Sequence, residues 1–302
     1  MRIRQVDSFT SVPFSGNPAA VVLNADELSE EQMQLIAREI NLSETCFISS
    51  GRGGHHFNFR WFTPATEVDA CGHATLAGLH TLAEEGLVPL SEEPTVISVG
   101  TKSGVWSARL WVEGGSTIIM FSMLQGPILL EPCPLSPEDL AKALRVDEDE
   151  IRIGENRPEI LKANYRQLIV PVRSMKTLER MMPDFGTLSS LLRKLDTSMH
   201  VFTLEVLDES SDAHSRHFAP NYGIDEDPVT GAGNAALFAY LAAKGLVEVT
   251  GSLMRLVSEQ GHIIGRPGHV KGEVHMRDGE VERVEIGGSA VTIMDADLKL
   301  PM

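Results

Sequence analysis

The sequence predicts an α+β protein built from two similar domains. Three observations lead to this class. The chain has 302 residues, and domains average ~150 residues, so two domains are expected. Helix-like and strand-like segments are interspersed along the whole chain. The segment that begins at Cys71 recurs at Thr230, about half a chain later. Two copies of one mixed domain account for all three observations.

The composition is typical of a soluble globular protein, with 42% apolar and 23% charged residues. The net charge of −16 repels phosphate backbones, so no nucleic-acid partner is expected. No run of 18 apolar residues predicts a membrane span, and Met1–Asp7 lacks the apolar core of a signal peptide. Cys46, Cys71 and Cys133 form no Cys-x-x-Cys pair. These features favour a cytoplasmic protein with reduced thiols and no membrane partner.

Elements of the first half are indicated by periodicity and by capping residues. Ser29–Gln32 has the spacing of a capping box, so a helix is expected to start there and to run to about Ile40. A second helix is expected from Gly72 to about Glu85, stopping at Gly86. Strands are expected at 3–9, 19–23, 46–48 and 57–62.

In the second half, Ser136 followed by Pro137 predicts another helix start. A helix over about 232–244 is expected to stop at Gly245. Strands are expected at 167–172 and 201–206, and turns at 266–268 and 277–279.

The internal repeat aligns residues 71–88 with residues 230–247 without gaps, at an offset of 159 residues. Both copies close with Gly-Leu-Val, and Phe62-Thr-Pro precedes the first copy as Phe218-Ala-Pro precedes the second. Each copy places glycine at the start of a helix, where backbone N–H groups lack intrahelical partners and carry partial positive charge. Two such helix starts predict a site for a carboxylate.

Several motifs together resemble the phenazine biosynthesis PhzF-like isomerase family, within the superfamily of diaminopimelate epimerase and proline racemase. The matching segments are 5–9, 16–19, 42–45, 69–75, 226–231, 260–261 and 265–268. The resemblance implies two pseudo-symmetric domains, each a twisted, mostly antiparallel sheet or barrel wrapped around a central helix. Residues 1–118 with about 288–302 would form the first domain and residues 119–287 the second, with the active site between them.

The resemblance also implies a cofactor-independent isomerase for a small carboxylate-bearing substrate. The family's type reaction moves a proton along a dihydro-hydroxyanthranilate ring, and Glu44 matches the glutamate that carries that proton. A carboxylate in a closed apolar cleft is expected to have a raised pKa. His73 and Asp227 match positions that hold and polarise the substrate. Backbone N–H groups for its carboxylate would come from Gly72, His73, Gly231 and Ala232.

One residue departs from the family pattern, and several other interpretations compete. The type enzyme has serine at Ala232, which puts the type substrate in doubt. A two-thiol racemase is disfavoured because the repeat partner of Cys71 is Thr230, a far weaker base. Acidic residues before Gly231 disfavour a dinucleotide site, and no spacing predicts a metal, so no cofactor is expected. A non-catalytic small-molecule-binding protein remains the alternative. A homodimer is implied by the resemblance.

Overall fold

The computed structural model describes residues 1–51, 53–248 and 251–299. Its chain forms two compact units. Unit 1 comprises Met1–Ser122 together with the segment that begins at Gly287. Unit 2 comprises Met123–Ile286. The last three positions of the returning segment expected from the resemblance, 300–302, lie outside the described residues.

Both units combine strands and helices, named here in chain order. The strands are β1 (Arg2–Ser8), β2 (Asn17–Val22), β3 (Thr45–Ser50), β4 (Phe57–Phe62), β5 (Glu67–Val68), β6 (Thr95–Thr101), β7 (Gly104–Glu113), β8 (Ser116–Gln125), β9 (Leu129–Pro132), β10 (Glu159–Lys162), β11 (Arg166–Pro171), β12 (Met199–Thr203), β13 (Ala213–Ala219), β14 (Ile224–Asp227), β15 (Leu253–Gln260), β16 (Gly268–Arg277), β17 (Glu280–Gly288) and β18 (Ala290–Asp297). The helices are α1 (Glu30–Ile40), α2 (Gly72–Glu84), α3 (Pro137–Leu144), α4 (Met175–Arg180), α5 (Phe185–Leu195) and α6 (Gly231–Ala243).

Unit 1 is a mostly antiparallel sheet. Strand β1 lies between β18 and β2 and is antiparallel to both. Strand β2 pairs in parallel with β3, which is antiparallel to β4. Strand β4 is antiparallel to β5 and parallel to β6, and β6, β7 and β8 continue as an antiparallel meander.

Unit 2 repeats this topology in the same order. Strand β10 is antiparallel to β9 and β11, β11 is parallel to β12, and β12 is antiparallel to β13. Strand β13 is antiparallel to β14 and parallel to β15, and β15 is antiparallel to β16. The register agrees as well, since Phe62 pairs with Thr45 and Phe218 pairs with Met199. The repeat seen in the sequence therefore extends through the strands, which confirms two pseudo-symmetric copies.

Each sheet wraps around one central helix of 13 residues. In α2 every residue except Glu84 is buried, and the helix packs on β1, β2, β3 and β18. In α6 every residue except Ala232 and Ala243 is buried, and the helix packs on β11, β12 and β16. A helix that is buried on all sides forms the centre of a core. This arrangement confirms the α+β class and the fold that the resemblance implied.

The expected helix ends are present in the structure. Ser29 and Gln32 form the capping box of α1, and Gly86 and Gly245 follow α2 and α6 with left-handed φ values of 69° and 61°. Helices α4 and α5 were not expected from the sequence. Among the described residues, no helix is long and apolar enough to span a membrane.

The strand expected at 201–206 is wrong at its end, because β12 stops at Thr203. The chain beyond it turns toward Glu259, whose carboxylate accepts hydrogen bonds from the backbone N–H groups of Leu207 and Asp208. These bonds satisfy two partly buried backbone N–H groups just beyond the expected end of the strand.

Candidate active site

Glu44 lies in the short connection between α1 and β3. Helix α1 ends at Asn41 in the left-handed conformation, and the Glu44 carbonyl then accepts a hydrogen bond of 3.2 Å from the backbone N–H of Ala20 in β2. Parallel pairing of β2 with β3 thus fixes the Glu44 backbone. Its side chain is 13% exposed, so it is not an ordinary solvated surface carboxylate.

The Glu44 carboxylate meets the imidazole of His73, the second residue of α2. Oε2 of Glu44 lies 3.2 Å from Nε2 of His73, and the Ser43 hydroxyl lies 3.2 Å from the same nitrogen. Nδ1 of His73 lies 3.6 Å from Sγ of Cys71, and the His73 carbonyl accepts a 2.7 Å bond from the Ser8 hydroxyl. Both ring nitrogens of His73 are therefore engaged by neighbouring side chains.

His73 is held as an imidazolium. Burial lowers the pKa of its ring, but Cys71 and Glu44 raise it, and the resulting pKa lies well above the ordinary value of 6.5. Burial and the Glu44 charge raise the pKa of the Cys71 thiol, so this sulfur is protonated at neutral pH. The anion that stabilises the His73 proton at neutral pH is therefore Glu44.

The expectation of a raised pKa for Glu44 is wrong. Burial does raise the pKa of its carboxyl, but His73, Ser43 and Cys71 together lower it below the ordinary 4.5. The sequence argument considered the apolar surroundings and not the facing cation. The resting pair is thus an ionised Glu44 beside a protonated His73, a carboxylate ready to accept a proton.

Glu44, Cys71 and His73 also carry oxygen, sulfur and nitrogen donors that lie within 4.8 Å of one another. A metal ion requires a thiolate and a neutral imidazole. In this site the pKa values of the Cys71 thiol and the His73 ring are both raised. A metal ion bound here would have to displace a proton from both of these atoms.

Asp227, the expected substrate-orienting acid, lies in unit 2 as the last residue of β14 and is 8% exposed. The hydroxyl of Thr230 donates a short hydrogen bond to Oδ2 of Asp227. Thr230 precedes α6 as Cys71 precedes α2. The repeat partner of the thiol is therefore a hydroxyl, which is a far weaker base than a thiolate at neutral pH.

The starts of α2 and α6 differ from those of the remaining described helices. Helices α1, α3, α4 and α5 have serine or aspartate at the N-cap, and each of these side chains accepts a backbone N–H bond. Neither Cys71 nor Thr230 makes such a bond, and the first turns of α2 and α6 lack acidic residues. Their N–H groups remain available to an anion. These groups belong to Gly72 and His73 in α2 and to Gly231 and Ala232 in α6.

The structure also identifies the residue that stands in the place of Glu44 in the second copy, which the sequence analysis did not find. Ser198 precedes β12, and its carbonyl accepts a 3.2 Å bond from the N–H of Leu168. The carbonyl of Glu44 accepts the matching bond in unit 1. Ser198 therefore occupies the place of Glu44 in the second copy. The two Phe-x-Pro motifs are 156 residues apart, whereas Glu44 and Ser198 are 154 apart, so a sequence match finds Ser198 only if the second hairpin carries two extra residues.

Glu44, Gly72 and His73 are thus grouped in unit 1, and Asp227, Gly231 and Ala232 in unit 2.

Comparison with known proteins identifies the family of this chain. Residues 6–296 match the family model for phenazine biosynthesis-like proteins. An uncharacterized isomerase of Clostridium acetobutylicum is 35% identical over 301 residues, covering 98% of this chain and 97% of that protein.

Solved structures extend the comparison. A PhzF-family phenazine biosynthesis protein of Bacillus anthracis has a TM-score of 0.89 and 30% identity, covering 99% of each chain. A probable proline racemase of Agrobacterium radiobacter shares the fold, with a TM-score of 0.64 and 14% identity over 99% of this chain and 93% of that one. The two-copy topology and these matches agree, and the chain belongs to the PhzF-like family of isomerases.

Proposed function

We propose that the protein is a cofactor-independent isomerase that shifts a proton within a small carboxylate-bearing substrate through Glu44. The observation that carries this proposal is the poorly exposed Glu44 carboxylate, kept ionised 3.2 Å from the His73 imidazolium. Since Ser198 occupies the matching place in the second copy, the fold supplies one such carboxylate rather than a pair. One group then removes a proton and later returns it.

In the first step, a substrate C–H bond breaks and its proton moves to an oxygen of Glu44. The electron pair stays on the substrate, where conjugation spreads it toward a second carbon. In the second step, the Glu44 O–H bond breaks and the proton goes to that second carbon. Because His73 lowers the pKa of Glu44, the protonated intermediate is a good acid, and the substrate C–H must be activated by conjugation to react.

His73 and Asp227 orient the substrate in this proposal. Because both ring nitrogens of His73 face protein side chains, the imidazolium acts on the substrate through its positive charge, which stabilises negative charge as it develops. The carboxylate of Asp227 accepts a hydrogen bond from a substrate amino or hydroxyl group. The substrate carboxylate binds the uncapped N–H groups at Gly72 and His73, and at Gly231 and Ala232.

Proton NMR in D2O tests the proposal. The purified protein is incubated with trans-2,3-dihydro-3-hydroxyanthranilate, and the loss and isotope content of each carbon-bound proton are followed. We expect turnover by the wild-type protein and a loss of at least ~100-fold in Glu44→Gln, the usual cost of removing a general base. Glu67→Gln is the matched control, because Glu67 is a poorly exposed, ion-paired carboxylate of the same unit whose pKa is also lowered.

Unchanged turnover in Glu44→Gln would contradict the assignment of the proton to this residue. If the wild-type protein does not convert that compound, the same NMR experiment is repeated with other small carboxylates that have an activated C–H bond. Exchange of that proton for solvent deuterium, dependent on Glu44 and independent of Glu67, is then the expected result. Absence of exchange across such a panel would contradict the isomerase mechanism.

A further inference from the structure

Gln260, the last residue of β15, is fully buried beside Asp227 and Thr230. Its side-chain amide makes four hydrogen bonds. Nε2 donates to the Asp227 backbone carbonyl at 2.9 Å and to Oγ1 of Thr230 at 3.2 Å. Oε1 accepts from the Thr230 backbone N–H at 3.1 Å and from Nδ2 of Asn234 at 2.8 Å. A primary amide offers two donors and two acceptor sites, and all are used here.

This network fixes which way the Gln260 amide points. The Asp227 carbonyl can accept and cannot donate, so it must face the NH2 group. The Thr230 N–H can donate and cannot accept, so it must face the oxygen. The reversed amide would place oxygen against oxygen and N–H against N–H, which the buried position would penalise at both contacts.

The fixed amide in turn fixes the proton of Thr230. Because Nε2 of Gln260 donates to Oγ1 of Thr230, the threonine hydroxyl acts as acceptor on that side. Its own hydrogen is then directed to the other close oxygen, Oδ2 of Asp227. We propose that Gln260 is a positioning residue, which sets the Thr230 hydroxyl as a donor to Asp227 and thereby holds that carboxylate in place for the substrate.

The pseudo-symmetry of the two copies supports this inference. The pair β13–β15 in unit 2 corresponds to the pair β4–β6 in unit 1, and these registers make Thr101 the equivalent of Gln260. Thr101 forms its hydrogen bonds within its own turn, to Gly104 and Ser103. Similarly, His217 pairs with Asp227 where Trp61 pairs with Val68. Unit 1 therefore has neither the acid nor the amide. The amide occurs in the same copy as the acid it orients.

The inference rests on the proposed function insofar as Asp227 orients a substrate, so the first test needs no turnover. In protein with 13C-labelled threonine, the Thr230 hydroxyl proton is identified by correlation with its own 13Cβ and by its absence in Thr230→Val. We expect Gln260→Met to raise the exchange rate of this proton with water by at least about tenfold, the equivalent of one lost hydrogen bond. Gln260→Glu, which keeps the shape and removes the donor, is expected to act in the same direction.

Gln167→Met is the matched control, because Gln167 is a buried glutamine of the same unit whose amide donates to the Ser198 carbonyl at 2.9 Å. We expect it to lower stability without changing exchange of the Thr230 hydroxyl. Unchanged exchange in both Gln260 variants would overturn the proposal. So would faster exchange in Gln167→Met of the same size, because the effect would then follow from general loosening.

The second test applies to the substrate that is turned over. If Gln260 acts through Thr230, then Gln260→Met and Thr230→Val lower kcat/KM by similar factors, and the double variant is no worse than the stronger single one. Thr230→Ser, which retains the hydroxyl, is expected to restore most of the loss. Effects that multiply in the double variant would show that Gln260 acts independently of Thr230 and would overturn the proposal. Failure of turnover in the wild-type protein would contradict the proposed function, while the exchange test would still decide the role of Gln260.

Discussion

The pairing of Glu44 with His73 makes a prediction that can be measured without knowing the substrate. In the wild-type protein, burial lowers the pKa of the His73 ring, but Cys71 and Glu44 raise it well above 6.5. Since the Cys71 thiol is itself protonated at neutral pH, replacing Glu44 by glutamine removes the anion that holds the His73 proton. Burial then dominates, and we expect the pKa of His73 to fall.

The size of the fall follows from the geometry. Opposite charges 3.2 Å apart attract by about 5 kcal/mol at an effective dielectric constant of about 20. Each pKa unit corresponds to about 1.4 kcal/mol, so this attraction is equivalent to a change of about four pH units in the pKa of His73. A single charge-assisted hydrogen bond is worth about 1.5 kcal/mol, which sets a lower bound of about one pH unit on the fall in the pKa of His73. We therefore expect the pKa of the His73 ring to be lower by about one to four pH units in Glu44→Gln than in the wild-type protein.

NMR titration of 15N-labelled histidine measures this difference directly, with the His73 signals assigned by their loss in His73→Asn. Glu67→Gln is the control and is expected to leave the pKa of His73 unchanged, because Glu67 pairs with Arg60 and Lys102 instead. A pKa in Glu44→Gln that stays well above 6.5 would refute the reasoning. It would mean that the Cys71 sulfur, and not Glu44, carries the negative charge.

The same pair makes stability depend on pH. The raised pKa of His73 contributes stability that is fully present below its unfolded value near 6.5 and is lost as the pH rises through the folded value. The lowered pKa of Glu44 contributes stability that is present above its unfolded value near 4.5 and is lost as the pH falls through the folded value. Both contributions are therefore complete between about pH 4.5 and 6.5.

Three further predictions concern the helix starts. Gly233→Ala is expected to destabilise the protein by about 2–4 kcal/mol in denaturant unfolding, because a Cβ there would lie 2.4 Å from Nδ1 of buried His200. Gly186→Ala is the control and should not destabilise it, since its Cβ would meet nothing closer than 3.5 Å. Equal losses of stability in the two variants would contradict the packing argument. Ala232→Ser is expected to improve kcat/KM for the dihydro-hydroxyanthranilate by up to about tenfold through one added hydrogen bond, and a decrease would indicate that the substrate fills this space differently. Cys71→Ser is expected to change kcat by less than about threefold, because the protonated thiol is a poor base, whereas a loss of ~100-fold would indicate thiol catalysis.

The sequence predicted the central helices well because their signals are local. The glycines that follow α2 and α6, at Gly86 and Gly245, adopt the left-handed conformation that stops a helix. The capping box at Ser29 depends on residues three positions apart, so it too can be recognised from the sequence. Helices α4 and α5 begin with capping residues as well, Ser174 and Asp184, so local signals mark their starts too, although they lie outside the internal repeat.

The electrostatics of the site were beyond local patterns. Glu44 and His73 are 29 positions apart in the chain and meet because β2 and β3 pair beside α2. A neighbour of that kind reverses the direction in which burial moves a pKa, and the burial argument alone therefore gave the wrong sign for Glu44. The Gln260 network was missed for the same reason, because β15 reaches Thr230 across 30 positions.

The replacement of Glu44 by Ser198 between the two copies has an evolutionary consequence. A protein that arose by tandem duplication starts with identical halves, each constrained by the same task. In the proposed mechanism only the copy that carries Glu44 moves the proton, so substitutions near Ser198 do not affect bond breaking and are free to alter what is recognised. Divergence in substrate preference among relatives is then expected at positions such as Ala232, the residue that departs from the family pattern. A duplicated fold of this kind can therefore change what it recognises while the proposed proton transfer through Glu44 is kept.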